Sequence, residues 1–406
     1  MALSACGHAL EPRDKAARTV ESLVTELETQ YAPDRRTAVW EAAVEVIDGQ
    51  IVIKGKTDNE KVPHALESAL AQKGLKADVQ MLVLPDAVEN ADKNPWAVVS
   101  VPVASMTGRP GFAVPLTTQA LFGTPLRVLD YQLPFWRVQM PDGYIGWVHG
   151  LQIVRLSQQE LSEWNKSEKV IVIKSMAAVR DAAGSVILTL GVGSIVRFVG
   201  MKNGGVCVEL PDGRLGYVAQ SSVRLLNSQY ESWIRTSKEG QEAFRKNIIK
   251  TAKDFLGTSY LWGGTSVSGL DCSGFVSLVW RLNGVILSRD ADQQLAQARK
   301  MDFEDVEEIP AGLLLGFGKK GENGRHKIEH IGISLGGGDF IHSLGSVRIE
   351  SLSRKSSSYS AYEAGRFLGA YELDAQQNEV PCATTFEDNG FYQSPPRRLR
   401  PCRLHF

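Results

Sequence analysis

One cysteine, two histidines and a tyrosine carry the chemistry open to this sequence. Cys272 stands in LDCSGF at residues 270–275, His330 and His342 bracket the stretch HIGISLGGGDFIH, and Tyr260 opens YLWGG at 260–264. A thiol becomes a working nucleophile when an imidazole within reach takes its proton, and a third polar group can hold that imidazole in the right tautomer. Taken singly, a cysteine beside apolar residues is more often a small core hydrophobe. A single histidine is as often a satisfied or solvent-facing residue. The combination points to nucleophilic catalysis only if local structure brings the groups together.

Apolar residues follow Cys272 at spacings of three and four (Phe275, Val276, Leu278, Val279, Leu282), and Asn283–Gly284 is a stop signal. The pattern predicts a helix with the thiol at its N-terminus and Asp271 as its cap. Backbone amides and the helix dipole there favour thiolate over thiol. Residues 328–335 alternate and are rich in β-branched side chains, and glycines 336, 337 and 338 turn the chain into a second strand around 339–349. With the three glycines as the loop, His330 and His342 share one face, a diagonal apart, at roughly 7–8 Å between strand positions. A register different by one residue places them on opposite faces.

The same stretch also spells HKIEH (His326, Glu329, His330), which fits the H-x-x-E-H pattern of a zinc hydrolase. That pattern needs a helix. On a strand, residues four apart are separated by about 13 Å, too far to share one zinc at bond lengths near 2.1 Å. The five cysteines, at 6, 207, 272, 382 and 402, have no metal-ligand spacing and form no disulfide framework. No metal or other cofactor is expected.

YLWGG, LDCSGF, LSRDADQQ at 287–294 and the two histidines together resemble the NlpC/p60-type cysteine peptidases, papain-like enzymes that cut bacterial cell-wall peptides. The resemblance runs over about 240–373. It implies Cys272 as nucleophile, His330 as base, His342 as the third polar residue, and Tyr260 as a partner of the Cys272 amide in binding the oxyanion. It also implies that Trp262, Asp271 and Ser273 line the pocket for the γ-D-glutamyl part of a stem peptide. Asp271 cannot bind a carboxylate unless protonated, so it is expected to cap the helix or meet an amine.

Upstream, VQMPDGYIGWV at 138–148 returns as VELPDGRLGYV at 208–218, a shift of 70 residues (138 to 208), and the flanks align without a gap, Val103 with Ile173 and Met106 with Met176. Short alternating strands and a PDG turn in each copy read as a small β-barrel. The copies resemble bacterial SH3-like domains over 95–156 and 167–227, joined by the polar stretches SQQELSEWNKSEK and NSQYESW, which read as linkers. Before them, residues 13–92 combine a helical stripe (Val20, Leu23, Val24, Leu27), a hairpin with a DG turn in VEVIDGQIVIKG, a helix near 60–74 and a strand near 78–84. After residue 373 the chain becomes rich in Pro and Arg without periodicity.

The expected architecture is therefore multidomain α+β: a small α/β domain at 13–92, two SH3-like barrels, a papain-like catalytic domain at 239–373 and an irregular tail at 374–406. This order resembles a subgroup that releases dipeptides from wall fragments by cleaving after γ-D-glutamate in L-Ala-γ-D-Glu-diamino acid peptides. In that subgroup the first barrel partly walls the site, and Tyr144 matches an aromatic residue of the wall. Two positions depart. Pro115 stands where the subgroup tends to have an acid that meets the substrate's amine, and Leu313 replaces the aspartate of a GDL motif.

Lys and Arg number 45 against 46 Asp and Glu in 406 residues, so no net field favours nucleic acid. Every apolar run falls short of the ~18 residues of a membrane span. LSAC at 3–6 resembles a lipobox, which implies membrane anchoring through a lipid on Cys6, although no basic or apolar signal region precedes it. The sequence thus predicts a monomeric cysteine peptidase of the bacterial envelope acting on peptidoglycan stem peptides or wall fragments, with cytoplasmic recycling of fragments as the other location. Besides zinc, a non-catalytic wall-binding protein is the competing reading.

Overall fold

The computed structural model describes residues 12–85, 94–202, 204–226, 238–296, 298–321, 326–373 and 383–396. Cys6 with its LSAC motif, the stretch NSQYESW, Cys382 and Cys402 lie outside them. The chain divides into two compact units at Asp92/Lys93.

In the first unit the helix Pro12–Tyr31 buries Val20, Leu23, Val24 and Leu27, the stripe expected from their spacing. Strands Trp40–Ile47 and Gln50–Thr57 pair in antiparallel register, and Asp48 and Gly49 take positive φ in a two-residue turn, the geometry a DG hairpin needs. The strand Asp78–Val83 then joins parallel to the second, after the crossover helix Val62–Gln72. Trp40, Ile53 and Leu66 complete this unit's core.

The second unit opens with two seven-stranded barrels of the same topology. The strands Leu116–Leu121, Pro125–Gln132, Phe135–Gln139 and Ile145–His149 recur at Val186–Gly191, Ile195–Lys202, Gly205–Glu209 and Leu215–Ala219. Earlier in each copy the equivalence changes. Val103 pairs with Leu121 as Met176 pairs with Gly191, so Val103 corresponds to Met176 and not to Ile173. The gap-free alignment therefore fails there, because barrel 1 carries a longer loop over 108–115, between Val103–Thr107 and Leu116–Leu121, than barrel 2 has over 181–185. Pro115 and the highly exposed Phe112 are on that longer loop.

SQQELSEWNKSEK, expected as a linker, contains the helix Gln158–Lys166. Ser157 and Glu160 form a reciprocal capping box, and Leu161 and Trp164 are buried. Sequence polarity hid this element because only one side of it is apolar.

In the C-terminal part, the helix Cys272–Leu282 packs against a six-stranded antiparallel sheet ordered Arg299–Met301, Phe367–Glu372, Leu314–Lys319, Lys327–Gly336, Asp339–Leu344, Ser346–Ser351. Phe275, Val276, Leu278 and Val279 from the helix meet Ile331, Ile333, Ile341 and Val347 from the sheet in one core. Leu313 is buried in a second cluster with Leu315, Phe317 and Phe340, an apolar support for the strand it precedes.

Residues 383–396, read from sequence as part of an irregular tail, form an ordered strap. Ala383–Thr385 pairs antiparallel with Val285–Leu287, and a 3-10 turn follows at Gly390–Tyr392. Phe391 is fully buried beside Trp96, Leu161 and Trp164, with the Trp96 ring edge-on at 5.2 Å between centroids. Asn389 Nδ2 donates to the Pro141 carbonyl at 2.8 Å, and Asn165 Nδ2 donates to the Phe391 carbonyl at 2.8 Å. A few well-placed aromatic and amide side chains do here what periodicity does elsewhere, which is why pattern reading passed over it.

No helix among the described residues is long and apolar enough to cross a membrane.

Candidate active site

Cys272 is the first residue of its helix, and Asp271 is the N-cap, with Oδ1 accepting from the Gly274 amide at 2.7 Å. Gly274 must be glycine, because an added Cβ would lie 2.0 Å from the Gly264 carbonyl oxygen. The glycines of YLWGG and LDCSGF are thus pressed together, which fixes the thiol relative to the Tyr260 loop. The amides of Ser273 and Ile331 donate toward the sulfur, which sets it beside the strand that carries His330.

That strand and the next form the expected hairpin with a different loop. Gly336 pairs with Asp339, leaving the two-residue turn Gly337–Gly338, and Leu335 becomes a bulge between Ser334 and Gly336. The bulge absorbs the extra residue, so Gly332 faces His342 and the two histidines share a face. His330 Nε2 meets His342 Nδ1 at 2.8 Å, with both rings buried.

Burial, with a smaller effect from the Asp271 carboxylate, pushes the Cys272 thiol up to about 11, against the pull of Arg289 and the two amides. Burial also holds His330 well below the ordinary imidazole value, helped by Arg366 and Arg348. His342 is held down in the same way, first by burial and then by His330. Burial thus favours the neutral form of the thiol and of both imidazoles. The thiolate expected from the helix N-terminus is outweighed by desolvation. Tyr260 is pushed up to about 12 by burial and by the neighbouring charges of Cys272 and Asp271, so its hydroxyl stays a donor.

Asp271 and Ser273, expected to line a ligand pocket, both accept from Arg289. Its Nη1 and Nη2 donate to Asp271 Oδ1 and Oδ2 at 3.1 and 2.6 Å, and Nη1 also reaches Ser273 Oγ at 2.8 Å. Asp271 Oδ2 additionally accepts from the Gly263 amide. With these donors satisfied the carboxylate is a structural anchor. Burial opposes the charge of Arg289, but the Asp271 carboxylate more than compensates and holds the guanidinium above its usual value. Arg289 stands within LSRDADQQ, and its burial had no signal in the sequence, since only Val285–Leu287 before it are apolar while Ser288 and Asp290 flank it.

Arg289 also links the site to barrel 1, its Nε donating to Thr118 Oγ1 at 2.8 Å. Gln119 accepts from the Thr265 amide at 3.0 Å through its side chain and from the Thr265 hydroxyl through its carbonyl. A Cβ on Gly263, whose φ is +77°, would fall 2.9 Å from Leu116. The strand Leu116–Leu121 is thus seated directly on the segment between Tyr260 and Cys272. Tyr144 is buried in the barrel 1 core, and its hydroxyl is near enough to Arg289 to influence it electrostatically. Trp262 is 71% exposed, a ring presented to solvent beside the site.

The zinc reading of HKIEH does not survive the strand. Glu329 points away from His330 into ion pairs with Lys319, Lys327 and Arg366. Among the described residues, the only group of histidine, cysteine and acidic side chains close enough to share a metal is His330, His342 and Glu363, which omits His326.

Comparison with known proteins agrees with this geometry. Residues 257–366 match the NlpC/P60 family and residues 107–153 match the bacterial dipeptidyl-peptidase SH3 domain. The chain is 28% identical over 236 residues to the gamma-D-glutamyl-L-lysine dipeptidyl-peptidase of Bacillus subtilis (strain 168), covering 56% of this chain and 72% of that protein. It is 28% identical over 204 residues to dipeptidyl-peptidase 6 of Lysinibacillus sphaericus, covering 48% of this chain and 72% of that one. The crystal structure of an NlpC/P60 family protein from Bacillus cereus ATCC 10987 superposes with a TM-score of 0.58 at 22% identity, over 68% of this chain and 99% of that chain. The chain accordingly carries an NlpC/P60 domain preceded by a bacterial dipeptidyl-peptidase SH3 domain.

Proposed function

We propose that this protein is a cysteine peptidase that hydrolyses the bond between γ-D-glutamate and the following diamino acid in peptidoglycan stem peptides. One observation carries the reading: a thiol at a helix N-terminus accepts from the amide of Ile331, the residue after His330, whose buried ring is joined to His342 at 2.8 Å, and the segment before the thiol is bonded to a strand of barrel 1. The names of the relatives, which specify gamma-D-glutamyl-L-lysine dipeptidyl-peptidase activity, support the substrate class.

In this mechanism His330, with Nε2 committed to His342, uses Nδ1 to take the proton of Cys272 as the sulfur attacks the γ-glutamyl carbonyl. The pair starts neutral, so proton transfer accompanies attack. The oxyanion is held by the Cys272 amide and the Tyr260 hydroxyl, which burial keeps protonated. His330 returns the proton to the departing amine, and water then cleaves the thioester. Trp262 covers the acyl chain of the substrate, and Tyr144 contributes from the barrel side. Asp271 and Ser273 act through Arg289 by holding the helix start and barrel 1 in place.

This activity belongs to an extracytoplasmic or envelope-associated protein, acting as a monomer. Anchoring through a lipid on Cys6 rests on LSAC alone, and the intact mass of the protein from its native membrane tests it. The test of function is mass spectrometry of products from L-Ala-γ-D-Glu-diamino acid tri-, tetra- and pentapeptides with free and blocked N-termini. Release of L-Ala-γ-D-Glu is expected. Pro115 offers no charge to the substrate's amine, so blocked peptides should be cleaved as well; binding without turnover would instead support a wall-binding protein.

A further inference from the structure

His342 leaves one ring nitrogen unaccounted for. Its Nδ1 meets His330, while its Nε2 is buried without a hydrogen-bond partner. Facing it at 3.5 Å is Glu350 Oε2, which is also buried and unpartnered. The other oxygen of that carboxylate is held by Arg348 Nη2 at 2.7 Å. Two orphaned polar atoms, a donor-capable nitrogen and an acceptor, thus confront each other at the long edge of hydrogen-bond reach. Contacts of this kind in unliganded catalytic sites commonly tighten when the substrate binds.

The hairpin register explains how Glu350 arrives there. In the strand pair Asp339–Leu344 and Ser346–Ser351, His342 is opposite Arg348 and Phe340 is opposite Glu350, so Glu350 is the diagonal neighbour of His342 on one face. Glu363, the other nearby carboxylate, is fully buried on the helix Ala361–Arg366 and lies against Arg366 at 3.4 Å. Burial raises its pKa, which makes it the poorer anionic acceptor.

We infer that Glu350 is a positioning residue that sets the direction of the whole proton chain. The inference rests on the peptidase reading above and concerns tautomers. If Glu350 accepts from His342 Nε2–H, then His342 Nδ1 is an acceptor. His330 must then carry its proton on Nε2, which leaves Nδ1 bare to receive the proton of Cys272. Without an acceptor at Glu350, His342 can hold its proton on Nδ1 and donate it to His330 Nε2. His330 is then protonated on Nδ1, and the base is blocked. In the attack step one proton moves, from Cys272 Sγ to His330 Nδ1, and His330 later passes it to the departing amine. The Glu350 charge, two rings away, stabilises the imidazolium that forms.

The test is nitrogen NMR of histidine-labelled protein in a Cys272→Ala background, comparing Glu350, Glu350→Gln and Glu350→Leu, alongside turnover of the same series with Cys272 intact. In the parent, both histidines are expected as the Nε2–H tautomer. Glu350→Leu should move His330 toward Nδ1–H and lower kcat by roughly 10²-fold, with KM within about twofold. Glu350→Gln, nearly isosteric and still offering an acceptor oxygen, should keep the tautomers and lose less. Parent histidines already protonated on Nδ1, unchanged tautomers in Glu350→Leu, or a tautomer shift produced by Glu363→Gln instead would overturn the inference. If the wild type cleaves no wall peptide, the peptidase reading fails, while the NMR result still decides the role of Glu350. Should Glu350→Leu not fold, Glu350→Ala takes its place in both measurements, and unchanged histidine tautomers in that protein sink the proposal.

Discussion

Arg289 and Asp271 are joined by two parallel contacts, Nη1 to Oδ1 at 3.1 Å and Nη2 to Oδ2 at 2.6 Å, with the guanidinium side chain 2% exposed. The same arginine reaches Thr118 in barrel 1. The residue before the nucleophile and the roof over it are therefore held by one side chain.

Replacing Arg289 by Met should be costly, because it leaves the Asp271 carboxylate buried and unpaired; breaking such a pair costs about 3–5 kcal/mol. The double variant Arg289→Met with Asp271→Leu should recover most of that stability without recovering turnover. Denaturant titration of the two proteins checks this. Equal unfolding midpoints for Arg289→Met and wild type would show that the pair carries no such weight.

The catalytic roles predict a graded series. Cys272→Ala and His330→Ala should each lower turnover by roughly 10⁴-fold or more, whereas His342→Ala, which orients and does not exchange the proton with sulfur, should lose roughly 10²-fold. Release of the dipeptide under single-turnover conditions reads all three. Wild-type-like rates in any of the first two would remove that residue from the mechanism.

The thiol's titration gives a pH prediction. An acid whose pKa is raised stays protonated at neutral pH, and its ionised fraction grows as pH rises toward that value. With Cys272 pushed up to about 11, inactivation by iodoacetamide should climb steadily from pH 6 to 10, roughly tenfold per unit, with no neutral plateau. A plateau beginning below neutrality would mean a resting thiolate–imidazolium pair.

The strap makes a fourth case. Phe391 is fully buried among Trp96, Leu161 and Trp164, so Phe391→Ala should cost about 3–5 kcal/mol in the region it anchors. Hydrogen exchange should rise in residues 383–396 and at Val285–Leu287, while the His330–His342 hairpin stays protected. Uniform exchange across the unit would mean that the strap is not a separable layer.

The reacting groups were legible in the sequence, and their support was not. Helical spacing placed Cys272 at a helix start, and period-two alternation placed both histidines on one hairpin face. The loop is shorter than the three glycines suggested, but the bulge at Leu335 leaves the same register. What escaped were contacts between distant segments. Arg289 meeting Asp271 and Thr118, Glu350 facing His342, and Phe391 seated against Trp96 are products of tertiary packing that no local pattern encodes. Even the repeat misled where barrel 1 has its longer loop, because alignment without a gap cannot register an insertion.

The strap also has a consequence in time. Residues 383–396 leave the ribosome after all the segments they bind: Trp96, the Pro141 carbonyl, the helix Gln158–Lys166 and the strand Val285–Leu287. A nascent chain can form both barrels and the histidine hairpin while barrel 1 and the strand Val285–Leu287 still lack this segment. A product cut before residue 383 would keep the barrels and the histidine hairpin but lack the packing of Phe391 against Trp96 and the pairing of Ala383–Thr385 with Val285–Leu287.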